Sequence, residues 1–421
     1  MTTSPAPAPQ QARPTITGGL LIALALLAAT APLATDFYLP TLPAMAEDLV
    51  TSATGVQLSL TAFLIGAGVG QVLFGPLSDR IGRLRPLLVG MAVYLIASAA
   101  AALAPTVALL VVARLLQGAS GASGMVIGRA IVSDLAHGRQ AASAFSLMML
   151  ISGIAPVAAP ILGSLLAEPL GWRGLLWIVA AMGAIALVAS LIVVRESLPA
   201  EVRAQRRAST DRPRISSLFR RRFSGNALAF AFAFATMMAY ISASPFVYQD
   251  LIGMSQWQYG LAFGLNALAL AVTGGISARL TRRRNPVGIA RAGLLTNLAA
   301  TLTIILIVVT RVPSVWLLAP ILVAVAALGF VLGNTTALAL SDVTKAAGLG
   351  SAALGLLQFT LSGAVAPLVS LDGNTTAMPL AVTMLSCSLI ANLAFLAAGG
   401  VRRADRQSDE ELPEPYPAEL G

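Results

Sequence analysis

Twelve long apolar runs follow one another along this chain, and they leave few folds open to it. They fall at roughly 17–38, 54–74, 86–104, 106–128, 141–167, 174–194, 223–244, 257–278, 288–310, 314–340, 349–371 and 378–400. A membrane-spanning helix needs about 20 mostly apolar residues, and each run meets that length. The runs are continuous, not alternating, which selects helices over a β-barrel. Turn and charge signals separate them, among them Pro105, Glu168-Pro169 and Asp372-Gly373-Asn374. Only 11% of the 421 residues are charged, against roughly a quarter in soluble domains, so lipid must face most of this surface. The predicted fold class is an all-α membrane protein with twelve transmembrane helices in two six-helix halves.

Arginine sets the orientation. With the N-terminus inside, the outer loops hold only Arg173 and Arg311, while Arg114 and Arg129 lie within or beside the fourth span. The other 23 of the 27 basic residues then fall on the inner side, the asymmetry expected of a multi-pass protein of the cell (inner) membrane with both termini cytoplasmic. Nine arginines crowd residues 195–222, and this linker divides the spans six and six. The predicted organisation is a disordered cytoplasmic tail (1–14), an N-terminal half (15–194), the linker, a C-terminal half (223–400) and a cytoplasmic tail (401–421). The run from Ile16 to Tyr38 is read as an uncleaved first span, although Ala29-Thr30-Ala31 mimics a signal-peptidase site.

Composition excludes several classes. Cys387 is the only cysteine and His137 the only histidine. An internal disulfide is impossible, a conventional zinc site is ruled out, and a histidine-based triad is disfavoured. No Walker-type G-x-x-x-x-G-K-[ST] occurs, which argues against ATP drive. The net charge of +9 is accounted for by topology, so nucleic acid is not expected. No nucleophile and base cluster, and the loops are too short for a receptor domain. The chain is therefore expected to be neither an enzyme nor a sensor, and to need no cofactor.

Four segments carry more information. GPLSDRIGRLRP (75–86) joins the second and third spans, with Gly75 and Gly82 suited to tight turns or close approach. Its Asp79, Arg80 and Arg83 can pair, suggesting a latch that holds two halves shut on the cytoplasmic side. RLLQGASGASG (114–124) puts Arg114 inside an apolar span. GIAPVAAPILG (153–163) spaces Gly153, Pro156, Pro160 and Gly163 by three and four, on one helix face. TDFYLPTLP (35–43) closes the first span on Asp36.

Together these segments resemble signatures of the major facilitator superfamily. The 75–86 segment is similar to its loop signature, and 114–124 and 153–163 resemble the fourth- and fifth-span signatures of its drug:proton antiporters. Residues 35–43 and SPFVYQDLIGMSQWQYGLAFGLNAL (244–268) resemble the bicyclomycin/chloramphenicol resistance branch. Two departures stand out: Gly163-Ser164 replaces a usual glycine pair, and Gly333 stands where many relatives have proline. The resemblance implies the major facilitator fold and proton-coupled multidrug efflux by alternating access, conferring antibiotic resistance. Its expected partners are protons, a drug-like small molecule of chloramphenicol or bicyclomycin type and the lipid bilayer, around a monomer. The alternative is proton-coupled transport of a metabolite such as a sugar or amino-acid derivative.

An intramembrane acid costs about 2.5–3.5 kcal/mol at a helix centre, so Asp36 calls for a function. It stands four residues before Pro40, about 6 Å from the outer end, and Arg114 lies about 12 Å deep from the same side. Both fall in the outer half of the bundle and are predicted to couple protons, with Asp36 taking up the proton. Gln117, one turn from Arg114, can face the same interior. Tyr38, Gln117, Tyr240, Tyr248 and Gln358 are the predicted cavity residues, each with a polar tip in an apolar setting. In the run Phe230, Phe232, Phe234 the first and last share a face, and at least one of the three is expected to meet lipid.

Overall fold

The computed structural model describes residues 17–136, 138–208, 218–343, 347–370 and 376–399. Both expected tails, part of the arginine-rich linker and His137 lie outside the described residues. Among the described residues the regular structure is helical throughout. The first half comprises α1 (Gly18–Asp36), α2 (Ala53–Ile81), α3 (Leu84–Ala102), α4 (Val107–Leu135) and α5 (Gly138–Val193). The second comprises α6 (Arg221–Phe246), α7 (Gln256–Leu280), α8 (Pro286–Val309), α9 (Leu318–Ser341), α10 (Ala347–Val365) and α11 (Met378–Ala397).

All eleven helices are long and apolar enough to cross a membrane, and α5 crosses twice. Its 56 residues would reach about 84 Å at about 1.5 Å per residue, far beyond a hydrocarbon core of about 30 Å. The chain reverses at Gly171, whose φ of 62° and ψ of −179° are non-helical. The break predicted at Glu168-Pro169 thus falls slightly later, at a residue that tolerates positive φ.

Helix starts follow local chemistry. Thr17, Ser52 and Thr106 accept from the backbone N–H three residues on, and Ser255 forms a reciprocal capping box with Gln258. Asn285 caps α8 ahead of Pro286. The outer surface is apolar: Ile96, Ile192 and Leu306 are 70%, 75% and 60% exposed, as lipid-facing side chains must be. Polar side chains turn inward and join helices. Asn297 donates to Ala324 O (2.8 Å), Asn334 to Ser277 Oγ (2.8 Å) and Asn392 to Leu294 O (3.2 Å). Cys387 is a buried apolar residue.

The halves pack chiefly through two helix pairs, α2 on α10 and α5 on α7. The α5–α7 seam is tight because a Cβ on Gly260 would stand 2.3 Å from Ser164 Oγ and one on Gly264 2.6 Å from Ile161 Cδ1. At the end of the bundle where α1 ends, hydrogen bonds cross between halves. Gln57 Nε2 donates to Ser242 O (2.9 Å) and Ser370 Oγ (2.8 Å), Thr54 to Ser370 O (2.9 Å), and Gln249 to Pro40 O (3.0 Å). The structure is therefore closed on the side where α1 ends.

Candidate functional site

A cavity of about 210 Å³ lies between the halves. The first half lines it with Ala31, Pro32, Thr35 and Asp36 of α1, Phe63 and Leu64 of α2, Met125 of α4 and Pro156 of α5. The second half contributes Phe234, Met237, Met238, Tyr240 and Ile241 of α6, Phe263, Ala267 and Leu270 of α7, Val325 of α9 and Phe359 of α10. Thr35, Asp36 and Tyr240 are the polar side chains in an otherwise apolar wall. Asp36 is the only carboxylate among the described lining residues and is itself 5% exposed.

Arg114 sits beside this cavity, fully buried. Its Nη1 donates to Gln117 Oε1 (2.6 Å), and its Nη2 donates to Ala34 O (2.8 Å) and Tyr38 Oη (3.3 Å). The guanidinium lies over the rings of Tyr38 (4.8 Å) and Phe63 (4.6 Å). Among the described residues it forms no ion pair. Its charge is offset by the carbonyl end of α1, which carries the negative pole of that helix, and by two aromatic faces. Asp36 and Arg114 thus share the last turn of α1 without touching as an ion pair. Behind Arg114, Gln117 donates to Ser98 Oγ (2.7 Å), Ser98 to Tyr94 O (2.7 Å) and Tyr94 to Thr30 O (3.4 Å). This chain ties α4 through α3 back to α1.

The predicted cavity residues divide. Tyr240 lines the cavity, stacked on Phe263 at 5.5 Å, and its hydroxyl accepts from Asn266 Nδ2 at 2.7 Å. The other four do not line it. Tyr38 and Gln117 are occupied by Arg114, and Tyr248 shares Asn266 with Tyr240 at 3.1 Å. Gln358 is only half-buried, and its neighbour Phe359 takes the place at the wall. In Tyr38, Gln117 and Tyr248 the polar tip has a partner inside the protein, so a polar tip alone does not mark the cavity wall. The aromatic and thioether lining (Phe63, Met125, Met237, Met238, Phe263, Phe359) was missed, because such residues are indistinguishable from lipid-facing ones by type. Phe234 does line the cavity, with Phe230 behind it at 6.3 Å.

The glycine–proline segment also divides. A Cβ on Gly163 would stand 2.0 Å from Phe37 O, so α5 touches the backbone just after Asp36. Pro156 lines the cavity, and Pro160 O lies 3.1 Å from where a Cβ on Gly260 would stand. Gly153 has open space around its missing side chain, so the close packing expected along the whole face holds only toward the end of the bundle where α1 ends.

The 75–86 segment forms a clasp within the first half. Arg83 Nε donates to Asp134 Oδ2 (2.8 Å), and Nη1 pairs with Asp79 (2.8 Å) and donates to Ser78 Oγ (2.8 Å). Glu196 accepts from the N–H groups of Arg83 (2.9 Å) and Leu84 (3.3 Å). Burial lowers the pKa of Arg83, but Asp134 and Asp79 outweigh it and raise it above its ordinary value. Gly82 has φ of 103°, and a Cβ there would meet Glu196 Oε2 at 2.3 Å. Gly75 stands one helical turn before Ser78 and accepts from its Oγ (2.9 Å), and Arg80 falls in the last turn of α2. The partners of Arg83 join α2, α4 and the segment leaving α5, all within the first half.

The sequence profile of the Major Facilitator Superfamily matches residues 24–367. An uncharacterised MFS-type transporter, YdgK of Bacillus subtilis, is 36% identical over 89% of this chain and 94% of its own length. A bicyclomycin resistance protein homolog of Haemophilus influenzae is 25% identical over the same shares. Multidrug resistance protein MdtL of Escherichia coli is 31% identical over 58% of this chain and 60% of its own. Among solved structures, a D-xylose-proton symporter superposes with a TM-score of 0.70 at 15% identity, over 90% of this chain and 96% of the other. Two six-span halves around a central cavity, a profile covering most of the chain and a relative matched almost end to end agree: this protein is a transporter of the Major Facilitator Superfamily.

Proposed function

We propose that this transporter exports drug-like, largely apolar molecules across the cell membrane in exchange for protons, as a monomer without a cofactor. Both chain ends would lie on the arginine-rich, cytoplasmic side. The observation that carries the reading is the single carboxylate, Asp36, facing a cavity otherwise walled by Phe, Met, Leu and Tyr side chains. Such a wall favours an apolar or amphiphilic cargo. A sugar would leave hydroxyl groups unpaired against it, at about 1–3 kcal/mol each. The names of the bicyclomycin and MdtL relatives point the same way.

Coupling follows from competition for one site. A proton on Asp36 removes a charge from the cavity, and a cargo with a cationic or hydrogen-bonding group takes the place of that proton. Each charge moved across the membrane potential is worth about 2.3 kcal/mol per 100 mV. The test is uptake into inverted vesicles under an imposed pH gradient, with drug susceptibility of expressing cells alongside. Asp36→Asn should abolish gradient-driven transport at unchanged expression, and Arg114→Ala should abolish resistance. Gradient-driven transport by Asp36→Asn at the unmodified protein's rate would refute the assignment.

A further inference from the structure

A second and larger cavity, of about 1,090 Å³, lies outside the central one, in the cleft between α7 and α8. We propose that it binds an anionic phospholipid of the leaflet on the arginine-rich side, with the phosphate at Arg282–Arg284 and an acyl chain along the cleft.

The cleft exists because α9 packs closely on both neighbours while they splay apart. A Cβ on Gly329 would stand 2.1 Å from Thr273 Oγ1, and one on Gly293 2.8 Å from Phe330 Cβ. α9 therefore forms the floor, and α7 and α8 form separate walls. The floor and walls are apolar or weakly polar, including Val323, Ala326 and Phe330. Thr296 stands ten residues into α8 from Pro286, so the cleft reaches about 15 Å from the loop, roughly one leaflet of the hydrocarbon core.

Charge identifies the headgroup. Arg282, Arg283 and Arg284 line the mouth of the cleft, and all three are exposed. Among the described residues none of them forms an ion pair. The equivalent loop of the first half is the contrast: there Arg83 is neutralised by Asp134 and Asp79. The positive pole of α8 opens at the same mouth. Three cations that form no ion pair among the described residues, above a lipid-deep apolar cleft, match a phosphate carrying acyl chains, and a soluble anion would use only the mouth.

Native mass spectrometry of the detergent-purified protein with added phosphatidylglycerol or phosphatidylethanolamine tests this. Retained phosphatidylglycerol, at least tenfold preferred, is expected. The triple substitution Arg282→Gln, Arg283→Gln, Arg284→Gln should weaken it at least tenfold. Thr296→Trp leaves every arginine in place, so insertion is unaffected, and should weaken it comparably by filling the cleft. Unchanged binding by either variant, equal binding of the zwitterionic lipid, or displacement by millimolar inorganic phosphate would overturn the proposal.

Discussion

Two glycines of one segment should respond oppositely to the same small change. A Cβ added at Gly163 would stand 2.0 Å from Phe37 O and 3.0 Å from Phe37 C, whereas ordinary contact begins at 3.4 Å. The obstacle is backbone, so it cannot swing aside, and α1 and α5 must part by more than about an ångström. Overpacking of this kind costs about 1–3 kcal/mol. The strain falls on the turn holding Asp36, and an ångström is enough to break the 2.8 Å bond from Arg114 to Ala34 O. Gly163→Ala is therefore expected to lower the melting temperature in detergent and to reduce transport at least tenfold. Gly153→Ala meets nothing and replaces a poor helix former, a gain of about 0.5–1 kcal/mol. It should leave transport unchanged and the melting temperature equal or higher. Wild-type stability and transport in Gly163→Ala would refute the packing argument.

Further outcomes follow from other contacts. Gln57→Leu removes two hydrogen bonds across the closed end, worth about 0.5–1.5 kcal/mol each, and should shift the population toward outward opening by about 5- to 160-fold; labelling of an introduced outer-cavity cysteine by an impermeant thiol reagent reads this. Arg83→Ala breaks a largely buried pair with Asp134, at about 3–5 kcal/mol, and should depress the melting temperature more than loss of its exposed partner in Asp79→Asn. Asn266→Leu removes the amide donor shared by the hydroxyls of Tyr240 and Tyr248, and should alter relative affinities among cargoes, read by competition assays, with little loss of protein.

Span number and the two-half layout were legible because the bilayer imposes one length and one polarity on every helix. The break inside α5 was less so: proline at 169 is tolerated in a membrane helix, and the reversal waits for Gly171. At the site, Asp36 and Arg114 were visible as charges in apolar runs, since such residues are costly to keep there. Their relation was not, because the acceptor for Arg114 is a backbone carbonyl at Ala34, a partner that carries no side-chain signature. Gln57 was likewise overlooked, although a fully buried amide spans both halves. Its partners lie 185 and 313 residues away, a pairing that only the closed bundle creates.

The end of α1 is where these observations converge. Arg114 holds Ala34 O from α4, Gly163 of α5 bears on Phe37 O, and Gln249 of the second half donates to Pro40 O. Seven residues of backbone are thus fixed from both halves, with Asp36 among them facing the cavity. A change of charge or occupancy at Asp36 would act on a segment whose anchor from the second half, Gln249, must let go when this end opens. Among the described residues Arg114 pairs with no carboxylate in the closed arrangement, and its guanidinium instead holds the Ala34 carbonyl two residues before Asp36. Protonation would remove a buried charge from this segment and leave the bonds at this end to decide the state. Under the proposed exchange, loss of Gln249 to leucine should therefore favour opening most strongly when Asp36 is protonated, and Gln249→Leu combined with Asp36→Asn should expose the outer cavity more than the two single changes predict together. Additive labelling rates in that double-mutant cycle would show that the segment does not link the two events.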